Sequence, residues 1–312
     1  MKYRLVTRSD FDGLACAVLF RYLDLIEEIT FVHPKDVQDG VLEITEKDIL
    51  TNLPYVPHAH QVFDHHHSET LRVDGDATNH VIDPEAPSAA RVVYDFYGGA
   101  ERFPMVSKEL MDEVDRADSA AYDIAEVLHP TGWTLLNFLM DSRTGLGRFR
   151  EFRISNYQLM MELINACMRH QDVNEILAIP DVAERADLYH AHAVPFVEQL
   201  RRVSRLVHDV VVVDLRDEEV IYAGNRFMVY ALFPTARVSI HVIWGRQRRN
   251  TVLAVGKSIM DRTSPVDIGS IMLRHGGGGH LAAGTCQVPH DASERVIAEV
   301  IGAASAPRTA AA

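Results

Sequence analysis

At 312 residues, 47% hydrophobic and 24% charged, the chain has the composition of a globular protein long enough for two domains with separate cores. Its net charge of −13 excludes a broad nonspecific nucleic-acid surface, and duplex DNA with it, because such a surface needs a basic stripe. Three widely spaced cysteines, Cys16, Cys167 and Cys286, form no CxxC pair, which excludes a zinc finger or a disulfide scaffold and leaves packed thiols.

Tyr3 to Thr7 reads as a first strand, with no signal-peptide core ahead of it. No apolar run approaches membrane-spanning length, so the expected location is the cytoplasm, away from membranes. Arg8-Ser9-Asp10-Phe11-Asp12-Gly13 follows, then an apolar helix from Leu14 to Leu25 that needs cover on more than one side as far as Phe20. Either aspartate could cap that helix. One cap needs only one of them, and two carboxylates at i and i+2 beside a glycine can both reach a hard cation. Ile29 to His33 and Ile49 to Leu53 are expected strands, and Pro54 and Pro57 break regular structure after them.

The next apolar run, Gln61-Val62-Phe63, stops abruptly at Asp64-His65-His66-His67. Consecutive histidines inside a strand core would bury unpaired ring nitrogens. A polar surface turn is the better reading of an isolated His-His pair. Behind a carboxylate at the end of an apolar strand, metal or phosphate chemistry is favoured. His80 to Asp83 reads as another strand, and Ser88 as the N-cap of a helix that stops at Gly98-Gly99. Strands alternating with helices predict an α/β fold with a doubly wound parallel sheet.

Helices are expected over Ser107 to Ala121, Trp133 to Met140 and Tyr157 to Met168. Between the last two, Arg143, Arg148, Arg150 and Arg153 interleave with Phe149 and Phe152, which fits a solvated loop and a phosphate contact equally. Asp181 to Leu206 predicts a long charged helix with a kink at Pro195. Beyond it, β-branched runs at His208 to Asp214, Val220 to Ala223, Val238 to Trp244 and Val252 to Val255 predict a smaller mixed α/β domain. There, Arg274-His275-Gly276-Gly277-Gly278-Gly279-His280 forfeits roughly 0.5–1 kcal/mol per glycine relative to alanine. Consecutive glycine amides can form an anion-binding concavity, and Arg262 upstream suits bidentate phosphate recognition.

Asp10-Phe11-Asp12, Asp64-His65-His66 and Gly276–His280, in that order, resemble the DHH phosphoesterase superfamily with its associated C-terminal domain. Within it the chain is most similar to the nanoRNA/pAp phosphatase-like and exopolyphosphatase-related branch. The resemblance implies a phosphoesterase domain over 1–185, a helical connector over 186–206, a glycine-rich substrate-binding domain over 207–304 and a disordered tail over 305–312. It implies two divalent cations, manganese as a rule and magnesium or cobalt as substitutes, that hydrolyse phosphodiester or phosphoanhydride bonds through an activated water. Asp10, Asp12, His65 and Asp118 take the metal-ligand positions, with Asp115 the runner-up for the last. Asp64 and His66 take the catalytic ones, His66 or His67 protonating the leaving oxygen. Arg262, Gly276, Gly277, Gly278, Gly279 and His280 take the substrate-gripping ones. The implied substrate is a short oligonucleotide, a nucleotide or polyphosphate, and the implied assembly a homodimer.

Two positions depart from the pattern. Arg8 stands where the family commonly has histidine, and Asn52 where it has a bridging aspartate. A carboxamide cannot supply negative charge to two cations. One tight cation and a weak or missing second site are therefore expected, with Arg8 as a catalytic cation in its place. The competing reading is a nucleotide- or phosphate-binding regulatory protein that keeps the fold without turnover.

Overall fold

The computed structural model describes residues 2–66, 69, 70, 73 and 77–305 of the chain; His67 and the expected tail beyond Ser305 lie outside the described residues. The chain divides into two compact units, Met1–Tyr122 with Pro130–Leu188, and Asp123–His129 with Tyr189–Ala312. The short excursion of 123–129 into the second unit has no signature in the sequence.

The first unit is built on a five-stranded sheet of β1 (Tyr3–Thr7), β2 (Ile26–Phe31), β3 (Asp48–Thr51), β4 (Gln61–Asp64) and β5 (His80–Ile82), in the order β2-β1-β3-β4-β5. Every pairing in it is parallel. A parallel sheet is buried on both faces, so its strands are short unbroken apolar runs: Leu5, Val6, Ile49, Leu50, Val62 and Phe63 are fully buried. The Phe11–Tyr22 helix is buried continuously from Phe11 to Phe20, as its all-round apolar character requires. Phe20 meets the Phe63 ring edge-on at 5.6 Å.

Register decides where the chemistry goes. Thr7 lies opposite Thr51, and Thr51 opposite Phe63. The next residue of each strand, Arg8, Asn52 and Asp64, therefore forms a row along the carboxyl edge. The strand order reverses between β1 and β3, and open α/β sheets bind ligands at such a point.

The second unit carries a mixed sheet of β6 (Ser204–Val207), β7 (Val210–Asp214), β8 (Val238–Trp244), β9 (Thr251–Lys257), β10 (Gly278–Gly279) and β11 (Ala283–Val288), ordered β10-β11-β9-β8-β7-β6. Only the β7–β8 pairing is parallel among those described. Val212, Ile240, Leu253 and Met272 share its core with Ile297 and Val300 of the Ser293–Ala304 helix. The Pro180–Val203 helix holds Pro195 within it and passes directly into β6.

The expected strand at Val220 to Ala223 does not form. Its backbone groups are satisfied by side chains of the Pro180–Val203 helix instead. Gln199 Nε2 donates to Val220 O at 2.7 Å and Gln199 Oε1 accepts from Tyr222 N, while Ala223 N donates to His192 Nδ1. With those partners the segment needs no sheet ladder. Among the described residues, no helix is long and apolar enough to cross a membrane.

Candidate active site

Asp10 is the N-cap of the Phe11–Tyr22 helix and accepts from Gly13 N at 3.0 Å. Its other oxygen lies 3.0 Å from Arg8 Nε. Gly13 is a requirement of the loop, since an added Cβ would sit 2.0 Å from Arg8 O. Asp12, in the first turn, points the other way. It is 3% exposed and accepts from Ala89 N at 3.1 Å and Ala90 N at 2.8 Å, the first amides of the Ala89–Phe96 helix. That helix end is a natural seat for a carboxylate. The Ser88 cap marks it in the sequence, but nothing in the sequence announces that its amides hold Asp12.

The Asp64–His65–His66 stretch leaves β4 with each side chain differently engaged. Asp64 Oδ1 lies 2.7 Å from His66 Nδ1, while Asp64 Oδ2 is buried without a hydrogen-bond partner. His65 Nδ1 reaches Ala86 O at 3.2 Å. A carbonyl only accepts, so this ring nitrogen carries a proton, and Nε2 is the nitrogen that a cation could take. His65 Nε2 then faces Asp118 Oδ2 at 2.9 Å without hydrogen-bond alignment. Asp118 closes the Lys108–Asp118 helix. The runner-up, Asp115, is engaged elsewhere: it accepts from Ser88 Oγ at 2.8 Å and from Arg91 Nη2 at 2.6 Å. Those bonds tie the Lys108–Asp118 helix to the start of the Ala89–Phe96 helix.

Asp12, His65 and Asp118 thus arrive from three separate elements with donor atoms all within 4.8 Å of one another. Two carboxylates and an imidazole form a donor set suited to a divalent ion such as Mn2+. Orphaned polar atoms at Asp64 Oδ2 and His65 Nε2 are what a cation would satisfy. Burial, then the charges of Asp118 and Asp10, push the Asp12 carboxyl up to about 7. Burial works against a charged His65, but Asp118 beside it outweighs that and raises the imidazole to about 9. For Asp118 the burial effect is likewise overcome, and the His65 ring holds the carboxyl low. Burial also raises Asp10, partly offset by the Arg8 guanidinium.

Asn52 belongs to this edge of the sheet. It is 1% exposed, adopts φ of 55° and donates its backbone N to Phe63 O. Both of its side-chain amide atoms are buried without a partner.

In the second unit, Arg262 is exposed, with Nε donating to Ile259 O at 3.3 Å. The glycine turn follows the Ile268–Arg274 helix. The expected row of open amides is not what it presents. Gly276 N and Gly277 N donate to Leu273 O and Met272 O, closing the helix, and His280 N donates to Ala283 O. Gly278 and Gly279 pair with Thr285 and Gly284 of β11. Consecutive amides here serve the helix end and the hairpin first.

No model of a protein family matches the chain, and no curated protein sequence does. Solved structures do. The pGpG-specific phosphodiesterase PggH from Vibrio cholerae is 56% identical, with a TM-score of 0.82, over 96% of this chain and 98% of that one. The chain belongs to the DHH phosphoesterases. This DHH phosphoesterase also shares its fold with an exopolyphosphatase-related protein from Bacteroides fragilis. That structure has 13% identity and a TM-score of 0.58, over 96% of this chain and 92% of that one. RecJ from Thermus thermophilus, solved in complex with Mn2+, matches at 18% identity and a TM-score of 0.51, over 98% of this chain and 52% of RecJ. Membership makes the protein a phosphohydrolase.

Proposed function

We propose that this DHH phosphoesterase hydrolyses pGpG, using one tightly held divalent cation at Asp12, His65 and Asp118. The observation that carries the reading is the convergence of those three donors beside buried, unpartnered atoms of Asp64 and His65. The 56% identity to a pGpG-specific phosphodiesterase supports the substrate. Mn2+ is the proposed ion, with Mg2+ or Co2+ as substitutes.

When bound, the cation supplies a water of lowered pKa and polarises a phosphoryl oxygen. The side chains do the rest. Asp64 Oδ1 fixes His66 at 2.7 Å, while Oδ2 is buried without a partner. His66, held in one orientation, donates a proton to the leaving oxygen. Arg8, steadied by Asp10 at 3.0 Å, would supply a guanidinium that neutralises a phosphoryl oxygen. Neutral Asn52 beside it disfavours that second cation. By resemblance, Arg262, Gly276 to Gly279 and His280 are the substrate-gripping residues of the second unit.

The test is GMP release from pGpG by dialysed protein with and without Mn2+. His66→Ala should lower kcat by about 10²–10⁴-fold, and Asp64→Asn by about 10–100-fold through its hold on His66. Wild-type rates in both variants, or release that ignores added metal, would contradict the assignment.

A further inference from the structure

Asp12, His65 and Asp118 lie far apart in the chain, yet each is tied to the same six residues, Ala86 to Arg91. The Ala86 carbonyl lies 3.2 Å from His65 Nδ1. The Ala89 and Ala90 amides each donate to one oxygen of Asp12, at 3.1 and 2.8 Å. Asp118 is reached indirectly, through Asp115 one turn earlier on the Lys108–Asp118 helix. Asp115 Oδ1 accepts from Ser88 Oγ at 2.8 Å, and Oδ2 accepts from Arg91 Nε at 3.0 Å and Arg91 Nη2 at 2.6 Å.

The first two ties are backbone groups. The third is made of side chains and closes on itself. Ser88, fully buried, accepts from Arg91 N at 3.0 Å while it donates to Asp115. Arg91 also lies over the Tyr94 ring, 5.2 Å from its centroid. A helix start needs only the Ser88 cap; it has no use for a carboxylate brought from another helix. A hydroxyl on one oxygen and two guanidinium nitrogens on the other fix the Asp115 carboxylate in direction as well as distance. Residues three apart on a helix are neighbours on its surface, so whatever orients Asp115 orients the turn that carries Asp118.

We propose that Ala86 to Arg91 is the template of the metal centre, and that Ser88, Arg91 and Asp115 are positioning residues that set the spacing of Asp118 from Asp12 and His65. This rests on the reading of Asp12, His65 and Asp118 as metal ligands and extends it to what holds the three in place. The positioning side chains act through the ligands, and divalent-ion affinity is sensitive to such outer contacts.

The experiment reads Mn2+ binding by electron paramagnetic resonance in dialysed protein, apart from turnover. Asp115→Asn keeps the size of the side chain but removes its charge, and Arg91→Met keeps an apolar stem without the guanidinium. Each should weaken Mn2+ binding about 10–100-fold. The shared sign is diagnostic. An effect through charge alone would weaken binding on loss of the carboxylate and tighten it on loss of the guanidinium. The double variant should bind no more weakly than the weaker single, because either change alone opens the lock. Ile164→Val, a buried change in the Asn156–Arg169 helix, is the control for general destabilisation, with thermal melts confirming that every variant folds. It should melt earlier than wild type and keep Mn2+ affinity within about twofold. Wild-type affinity in either single, tighter binding by Arg91→Met, losses that add in the double variant, or a control that loses Mn2+ as far as the singles overturns the positioning role. A wild-type chain that binds no Mn2+ overturns the metal centre itself, and the template with it.

Discussion

Asn52 places a buried, unpartnered carboxamide at the carboxyl edge of the sheet. A buried amide left unpaired costs about 1–3 kcal/mol, and φ of 55° is a conformation that asparagine tolerates better than most side chains. The fold gains nothing from the Asn52 carboxamide, whose two polar atoms have no partner. Asn52→Asp should therefore raise bound Mn2+ from about one equivalent towards two, read by metal analysis after dialysis. Unchanged stoichiometry would place residue 52 away from the ion. The positions of Asp10, Asp12, Asp64 and His65 were legible in the sequence because carboxylates and imidazoles interrupt apolar strands there. Asp118 was legible only through resemblance. What holds these groups was not legible: the Ala89 and Ala90 amides on Asp12 and the Ala86 carbonyl on His65 lie far along the chain, and backbone groups leave no mark on residue identity.

At the scale of elements, the glycine turn separates two uses of one residue type. An added Cβ at Gly277 would lie 2.1 Å from Thr285 O, whereas at Gly278 nothing lies within 4 Å. Gly277→Ala should therefore lower the melting temperature. Gly278→Ala should leave it within about a degree and reduce pGpG affinity, since only a ligand needs that space clear; the scale of such a shift follows from a change well below 1 kcal/mol. A Gly278→Ala protein with unaltered affinity would remove the turn from the substrate site.

A second expectation concerns the segment taken from sequence as a strand. Glu218 receives Arg202 at 2.6 Å and Gln199 at 2.7 Å, and those partners, Arg202 first, lower its carboxyl from 4.5 to about 2. A carboxyl lowered on folding adds stability that is present above its unfolded pKa and is lost as pH falls through the folded one. Glu218→Gln should melt earlier than wild type at pH 7, and the gap should close between about pH 4.5 and 2. A gap independent of pH would assign the loss to packing. Periodicity at Val220 to Ala223 misled because β-branched residues also suit an extended segment whose hydrogen bonds come from helix side chains.

For the whole molecule, composition and fold class were the most legible part. Alternating short apolar runs and helices led to the parallel sheet, and its observed order β2-β1-β3-β4-β5 puts the acidic and histidine motifs at one edge. The return of Asp123–His129 to the second unit depends on long-range packing, including Asn225 Nδ2 donating to Val127 O at 2.8 Å, which no local pattern encodes. The charge of −13 disfavours long anionic partners. At about 0.15 M salt, where charges more than about 8 Å apart are screened, a gel-shift titration with duplex DNA should show no complex.

One cation, held by Asp12, His65 and Asp118 and assisted by Arg8, is proposed to suffice for hydrolysis. Titrating metal-free protein with Mn2+ while following bound ion by electron paramagnetic resonance and GMP release from pGpG in the same samples tests it most directly. Release should rise with the first bound equivalent and level off there, and Asp12→Asn should lose both together. Release that begins only as a second equivalent binds would contradict the account.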